Sequence, residues 1–396
     1  MEACNLFNLA KRNSSRTSRR QSDAHHRRGV AIIYMSIMLV TLSALCSLAV
    51  DFGRWEMCKT QLQRAADAAA RSAAFQLANG ASLAVNYATI VSWLNTVDAQ
   101  NVLSNSNVTV NIQVLNWTSA TNYTILSSGN YSTANAVRVT LTYNVPLTFG
   151  SLVGISSKTA SRSSTAVLNV SSQNIYVSGN GEVWLAGEPT GTQASQPDPG
   201  YSGQGVNPLH PWQYDYAGPY GTSMADGEPY SSPAQATIPI TPGAIITVSN
   251  VTGSANYDPG YFDAGNAKGL IDGATAPIVD NVAAGGIEEH GIADVYMPAD
   301  SLNAVFLNSS VPDGTSAPAP LDFSTASARS YSSISPQLKQ PFFVGQGQTS
   351  TGTQQSIIVP QGAARMFFGI MDCWEWSNNS GGYTVTITQK SVQTVQ

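Results

Sequence analysis

Charge is scarce in this chain. Asp, Glu, Lys and Arg make up 11% of its 396 residues, against about 25% in ordinary soluble domains. Ser, Thr, Asn and Gly fill the gap, a balance more typical of exported β-proteins than of cytosolic enzymes. Cysteine is nearly missing as well: the four residues Cys4, Cys46, Cys58 and Cys373 form no CxxC and no zinc spacing, which excludes a disulfide framework and a structural zinc site. A Cys58–Cys373 disulfide is not expected. Of the four histidines, only His210 and His290 lie outside the basic head. No GxSxG, HExxH or phosphate-loop pattern appears, so the chain does not read as an enzyme. A basic face is missing from most of the chain too. Residues 1–28 hold seven basic and two acidic side chains, leaving a net charge of −10 beyond them. Nucleic acid, which requires a basic surface, is excluded as a partner.

What is present begins with Gly29–Val50, GVAIIYMSIMLVTLSALCSLAV, which carries no charge. As a helix it would rise about 33 Å, enough to cross a hydrocarbon core of roughly 30 Å. Ser47-Leu48-Ala49 has the form of a signal cleavage site, but the run exceeds a usual signal core, so a retained anchor is favoured. Leu45 before Cys46 argues against a lipoprotein. The basic head 1–28, with SRTSRRQSDAHHRR at 15–28, reads as a tail without structure lying against anionic headgroups. The positive-inside bias keeps it cytoplasmic, giving a single-pass inner-membrane protein with the bulk of the chain outside.

Beyond Asp51 the helical pattern continues to about residue 80, with Phe52, Trp55, Leu62, Ala66, Ala69 and Ala73 near one face. Trp55 suits an interfacial belt, and Asn79-Gly80 suits a stop. Val108–Val114 and Val137–Tyr143 alternate apolar and polar residues, and a third such stretch runs over 160–170. These predict strands with one wet face. The fold class expected is therefore a transmembrane helix continuing into an α+β membrane-proximal module (51–80 helical, 81–172 β-rich), then a C-terminal antiparallel β-sandwich over 173–396. Within the last, 188–235 reads as a long insertion, because eight of the 20 prolines lie there. Strands are expected at 175–185, 245–250, 303–307, 342–345, 356–359, 365–371 and 383–388, between turns such as Pro242-Gly243 and Gln361-Gly362.

Two resemblances add to this. The RRGVAIIY start, Val50-Asp51-Phe52-Gly53-Arg54 and the run Gln61-Leu62-Gln63-Arg64-Ala65-Ala66-Asp67-Ala68-Ala69-Ala70 resemble the N-terminal segment of TadG-like Flp pilus-assembly proteins. Gly29, Asp51, Gly53, Arg54, Gln61 and Asp67 carry that anchor signature. Tyr34 stands where a processed pilin has Glu, so neither cleavage at Gly29 nor a polymerising pilin is implied. The resemblance implies pilus or secretion components, or copies of the chain itself, as partners beside the bilayer.

The turn Met371–Val385, MDCWEWSNNSGGYTV, puts Asp372, Asn378 and Asn379 in one short loop, and calcium takes such oxygens. An Asx-rich loop also closes turns on its own backbone. Residues 241–257 and 359–387 are similar to PA-IL-like galactose-binding lectins. That likeness implies a small β-sandwich with calcium held by Asp372, Asn378, Asn379 and carbonyls of Tyr257 and a residue near Trp376, with a galactoside or other glycan completing the shell. The loop is one residue shorter than in those lectins, and their sugar-contacting His and Gln have no clean counterpart; His290 lies in the right region. Glu288, Glu289, His290 and Asp294 read rather as a solvated acidic loop, and His210 as part of a Pro-locked turn. The function this implies is a membrane-anchored adhesion module binding glycans through calcium; the alternative is a structural accessory of pilus assembly whose distal region binds nothing.

Overall fold

A computed structural model describes residues 3–102, 105–127, 130–189, 192, 233–257, 265–269, 278–279, 289–372, 376 and 379–395. The chain divides into two compact units, residues 1–167 with 394–396, and residues 168–393.

In the first unit one helix, α1 (Ala3–Gln76), runs through the basic head, the apolar run and the signature without a break. The head is thus helical, contrary to expectation. Residues 3–28 contain neither Pro nor Gly, so nothing stops propagation from the apolar segment once nucleation is covered. Among the described residues the stretch from Val30 is the one helix long and apolar enough to cross a membrane, and none of its apolar window is covered by protein. Ser36, Thr41 and Ser47 return their hydroxyls to the carbonyls of Ile32, Ile37 and Ser43 at 2.7–2.9 Å, so these three donors find acceptors within the helix.

Past the run, α1 turns into a stripe of small residues. Leu62, Ala65, Ala66, Ala69, Ala70, Ala73 and Ala74 are all fully buried, whereas Phe52, expected on that face, is 54% exposed. Gly80, at φ 124°, ends the helical turn Leu77–Asn79 and starts a second helix, α2 (Ala81–Leu94). This helix was not foreseen, because 81–94 is apolar nearly all round. Its Ala81, Ala84 and Ala88 are buried, and α2 packs on α1; alanine on both sides lets the backbones approach closely.

The sheet of this unit is antiparallel, in the order Asn122–Ile125, Val108–Ser119, Ala136–Pro146, then the strand that begins at Ser157. Val137, Val139, Leu141, Tyr143 and Val145 form the buried face of the Ala136–Pro146 strand, which packs on α1. Period-two alternation predicted these strands, and the tertiary structure lengthens them.

The second unit is β-rich, with several sheets. Ile245–Asn256 lies between Ser380–Val395 and Ser356–Ile358, antiparallel to both, and Ser333–Ile334 adds in parallel. A second sheet orders Phe342–Phe343, Leu302–Leu307, Arg365–Ile370 and Ala234–Gln235. A third is small, with Val295–Pro298 parallel to Leu321–Asp322. Two parallel pairings thus depart from the all-antiparallel expectation. One hydrophobic core draws Ile246, Val248, Tyr383, Val385 and Ile387 from the first sheet and Phe306, Phe342, Met366, Phe368 and Ile370 from the second. The strand expected over 175–185 stops at Ser178; Val183–Leu185 is a helical turn that buries Trp184. Most of the insertion 188–235, with His210, lies outside the described residues.

Candidate functional site

The Asx loop of the second unit joins Arg365–Ile370 to Ser380–Val395. Asp372 is 2% exposed and Asn379 7%. The Asn379 side-chain amide donates to the Gly179 carbonyl at 3.0 Å, while its Oδ1, buried, accepts nothing from the described residues. The Trp376 carbonyl is already engaged: it accepts the Asn379 amide at 3.2 Å and the Asn180 side chain at 2.8 Å. The Trp376 indole donates to the Ile370 carbonyl at 2.8 Å and meets Trp184 edge-on. Tyr257 is half-buried against the core. Asn378, Cys373 and Glu288 lie outside the described residues.

A second carboxylate, which sequence reasoning passed over, stands beside this loop. Asp300 is fully buried; its amide donates to the Met371 carbonyl at 2.8 Å, and its own carbonyl accepts the Tyr383 hydroxyl at 2.9 Å. Burial pushes its carboxyl up to about 7, against a smaller opposing pull from the backbone amides of Tyr257 and Gly265. The available signal was a lone acid between two apolar strands.

His290 sits at a tight turn with Gly291, both at positive φ. Its ring lies 3.7 Å from Glu289 and 3.9 Å from Asp313, and Glu188, His290 and Asp313 each bring a ligand-type atom within 4.8 Å of the others. The structure therefore groups His290 with Glu188 and Asp313, residues distant in sequence.

In the first unit three of the six signature residues, Asp51, Arg54 and Gln61, reach from α1 to other elements. Asp51, 3% exposed, accepts three backbone amides: Thr148 at 2.9 Å, Phe149 at 2.9 Å and Gly150 at 2.7 Å. One turn on, Arg54 forks onto Asp98, with Nε to Oδ1 at 3.1 Å and Nη2 to Oδ2 at 2.5 Å, and gives Nη1 to the Pro146 carbonyl at 3.2 Å. Two turns further, Gln61 Oε1 accepts the Asp98 amide at 2.9 Å. The Tyr143 hydroxyl completes the set, donating to Asp98 Oδ2 at 2.8 Å. The Arg54 hydrogen bonds, opposed by burial and helped by Tyr143, hold the Asp98 carboxyl below the usual carboxylate range.

Asp98 and Ala99 are the central pair of the hairpin Thr96–Asn101, at φ 54° and 61°. Two positive φ angles make this a type I′ turn, for which Asn-Gly is the preferred pair. Ala99 there carries about 1 kcal/mol of strain. The clamp on Asp98 offsets it.

Comparison with known proteins bears on this segment. Residues 29–86 match the Tad family model, "Putative Flp pilus-assembly TadE/G-like". No curated protein and no solved structure matches the chain, and no family or structure match confirms the lectin-like resemblance.

Within the TadE/G-like segment, Asp51, Arg54 and Gln61 act as fasteners. They tie α1 to the hairpin at Asp98 and to the loop after Pro146. Asp67 accepts from Gln63 one turn back at 2.9 Å and adds only local helix support. Gly29 lies within α1. At Gly53 a Cβ would meet nothing within 4 Å, and nothing in the structure explains the glycine. Ala66 and Ala69, expected on one helical face, are fully buried by the chain's own packing. Asp98 escaped the sequence reading because nothing local marks it; it acquires its role from residues 37 and 44 positions upstream.

Proposed function

We propose that the chain is a non-enzymatic, membrane-anchored envelope protein of a Flp-type pilus-assembly apparatus, crossing the inner membrane once with its N-terminus in the cytoplasm. The match over residues 29–86, the uncovered apolar helix and the charge asymmetry support this reading. The observation that carries the assembly role is on α2. Leu83, Tyr87, Ile90 and Leu94 recur at helical spacing and are 44%, 39%, 51% and 78% exposed. An apolar stripe of this kind, next to a face already buried by Ala81, Ala84 and Ala88, is what a second helix requires. The partner is another TadE/G-like chain, a copy of this one included. Leu83→Glu with Ile90→Glu in the full chain, followed by crosslinking in native membranes, tests it. Loss of the crosslinked species with hydrogen exchange of α1 unchanged is the expected result; an undiminished species rejects the reading.

A second reading, calcium binding with a glycan completing the shell, rests on the buried, undonated Asn379 Oδ1 close in sequence to the buried Asp372. Such oxygens fit calcium. The Trp376 carbonyl, twice hydrogen-bonded, fits poorly. Asp372 and Asn379 would hold the ion together with Asn378. Scanning calorimetry of the full chain with and without calcium decides it: a rise in unfolding temperature that Asp372→Ala removes is expected, and no rise eliminates both ion and glycan.

A further inference from the structure

We infer that the loop 147–156, between the Ala136–Pro146 strand and the strand beginning at Ser157, is a second membrane contact. In this reading it seats on the bilayer surface where the apolar run of α1 ends. The inference rests on the anchor reading of that run.

The depth follows from Asp51. It is the first residue after the uncharged run Gly29–Val50, and its buried carboxylate takes the amides of Thr148, Phe149 and Gly150 within 2.9 Å. A hydrogen bond of that length corresponds to about two residues of helical rise. The loop backbone is therefore fixed level with the outer end of the run.

Composition fits that depth. Residues 145–157 carry no charge, and Lys158 follows directly. Phe149 and Ile155 are 36% and 56% exposed, and Val50 and Phe52, the chain neighbours of Asp51, are 59% and 54% exposed, so both elements joined at Asp51 carry exposed apolar side chains. The backbone is suited to a dry boundary as well. Leu147 N donates to Ser156 O, Ile155 N to Gly150 O and Gly154 N to Ser151 O, while Asp51 takes three more amides. Six of the ten backbone amides of 147–156 are thus bonded within the protein, which lowers the cost of seating the loop at a dry boundary.

Just farther out, Trp55 gives its indole N–H to the Thr159 carbonyl and carries two ammonium groups, Lys158 at 3.7 Å and Lys59 at 4.0 Å from the ring centre. Tryptophan and lysine together are the side chains of the headgroup layer. A second contact beside a single helix stops the unit from swivelling about its anchor and sets which face it presents.

The test uses the full chain in phosphatidylethanolamine/phosphatidylglycerol vesicles, with the photocrosslinker p-benzoylphenylalanine placed in turn at Phe149, Ile155, Leu39 and Ile125. Leu39 lies inside the apolar run. Ile125, 53% exposed, is paired through Leu115 to Ala136, the opposite end of a strand about 33 Å long. Phospholipid adducts at 149 and 155 should approach those at 39 and exceed those at 125 about tenfold. Adducts at 39 but not at 149 and 155, or equal adducts at 125 and 155, overturn the loop contact and leave the anchor standing. No adduct at 39 removes both.

Discussion

Arg54→Ala and Asp98→Asn, made singly and together, probe whether the signature arginine works through the hairpin. Asparagine keeps the left-handed preference at position 98, so Asp98→Asn removes charge without adding backbone strain. Charge-assisted hydrogen bonds contribute about 1.5–3 kcal/mol, exposed ion pairs about 0–1. The Arg54 and Asp98 side chains are 33% and 14% exposed, so solvent screens the pair only in part. Arg54→Ala also removes a donor from the Pro146 carbonyl, and about 2 kcal/mol is expected for it. Asp98→Asn should cost slightly less, because Tyr143 and Gln61 keep their bonds to that residue. The double variant should then fall short of the sum by about 1–2 kcal/mol. The readout is hydrogen exchange of the full chain in nanodiscs, followed on peptides spanning residues 96–101 and 143–150. A loss of about 2 kcal/mol means roughly thirtyfold faster exchange at the Asp98 amide. Additivity within about 0.5 kcal/mol would show that Arg54 acts elsewhere, and the clamp would be refuted.

The depressed Asp98 carboxyl makes the clamp acid-sensitive. Its stabilisation is present above the unfolded value of about 3.9 and is lost as pH falls through the folded value below it, so exchange at residues 96–101 should quicken below about pH 4 and no longer do so in Asp98→Asn. Asp300 behaves oppositely. Its folded value of about 7 lies above the unfolded one, so stability falls as pH rises from about 4 to 7 and stays low beyond. Asp300→Asn should therefore raise the unfolding temperature of the distal transition at pH 8 and leave it little changed at pH 4; a gain of equal size at both values would contradict the buried-acid account. Ala69→Leu forces a larger side chain between α1 and its neighbours, where Ala69 is fully buried, and should cost about 1–3 kcal/mol; unaltered exchange in α1 would mean that the interface is looser than drawn.

Much of the first unit is legible from local pattern. An uncharged stretch of 22 residues can satisfy its amides only as a helix in lipid, and strict alternation at Val108–Val114 and Val137–Tyr143 fixes which face of each strand is wet. The helix α2 was illegible for a related reason. Apart from a narrow polar strip at Ser82, Asn86 and Thr89, residues 81–94 are mostly apolar, so no periodicity separates the face that meets α1 from the apolar face left open. The Ala stripe was legible as a close-approach surface, but sequence carries no record of whether the approaching element belongs to the same chain.

By itself the sequence determined the membrane-crossing helix, the signature along one side of its extension and the approximate positions of most strands, because each is written in neighbouring residues. Only tertiary structure decided that Arg54 and Gln61 meet at Asp98, that Asp51 grips the loop after Pro146, and that Asp300 stands beside Met371. Those encounters join positions tens of residues apart. The two encounters of the first unit exist because packing α1 against the sheet takes charged and polar side chains largely out of solvent, so each must find its partner wherever the fold delivers one.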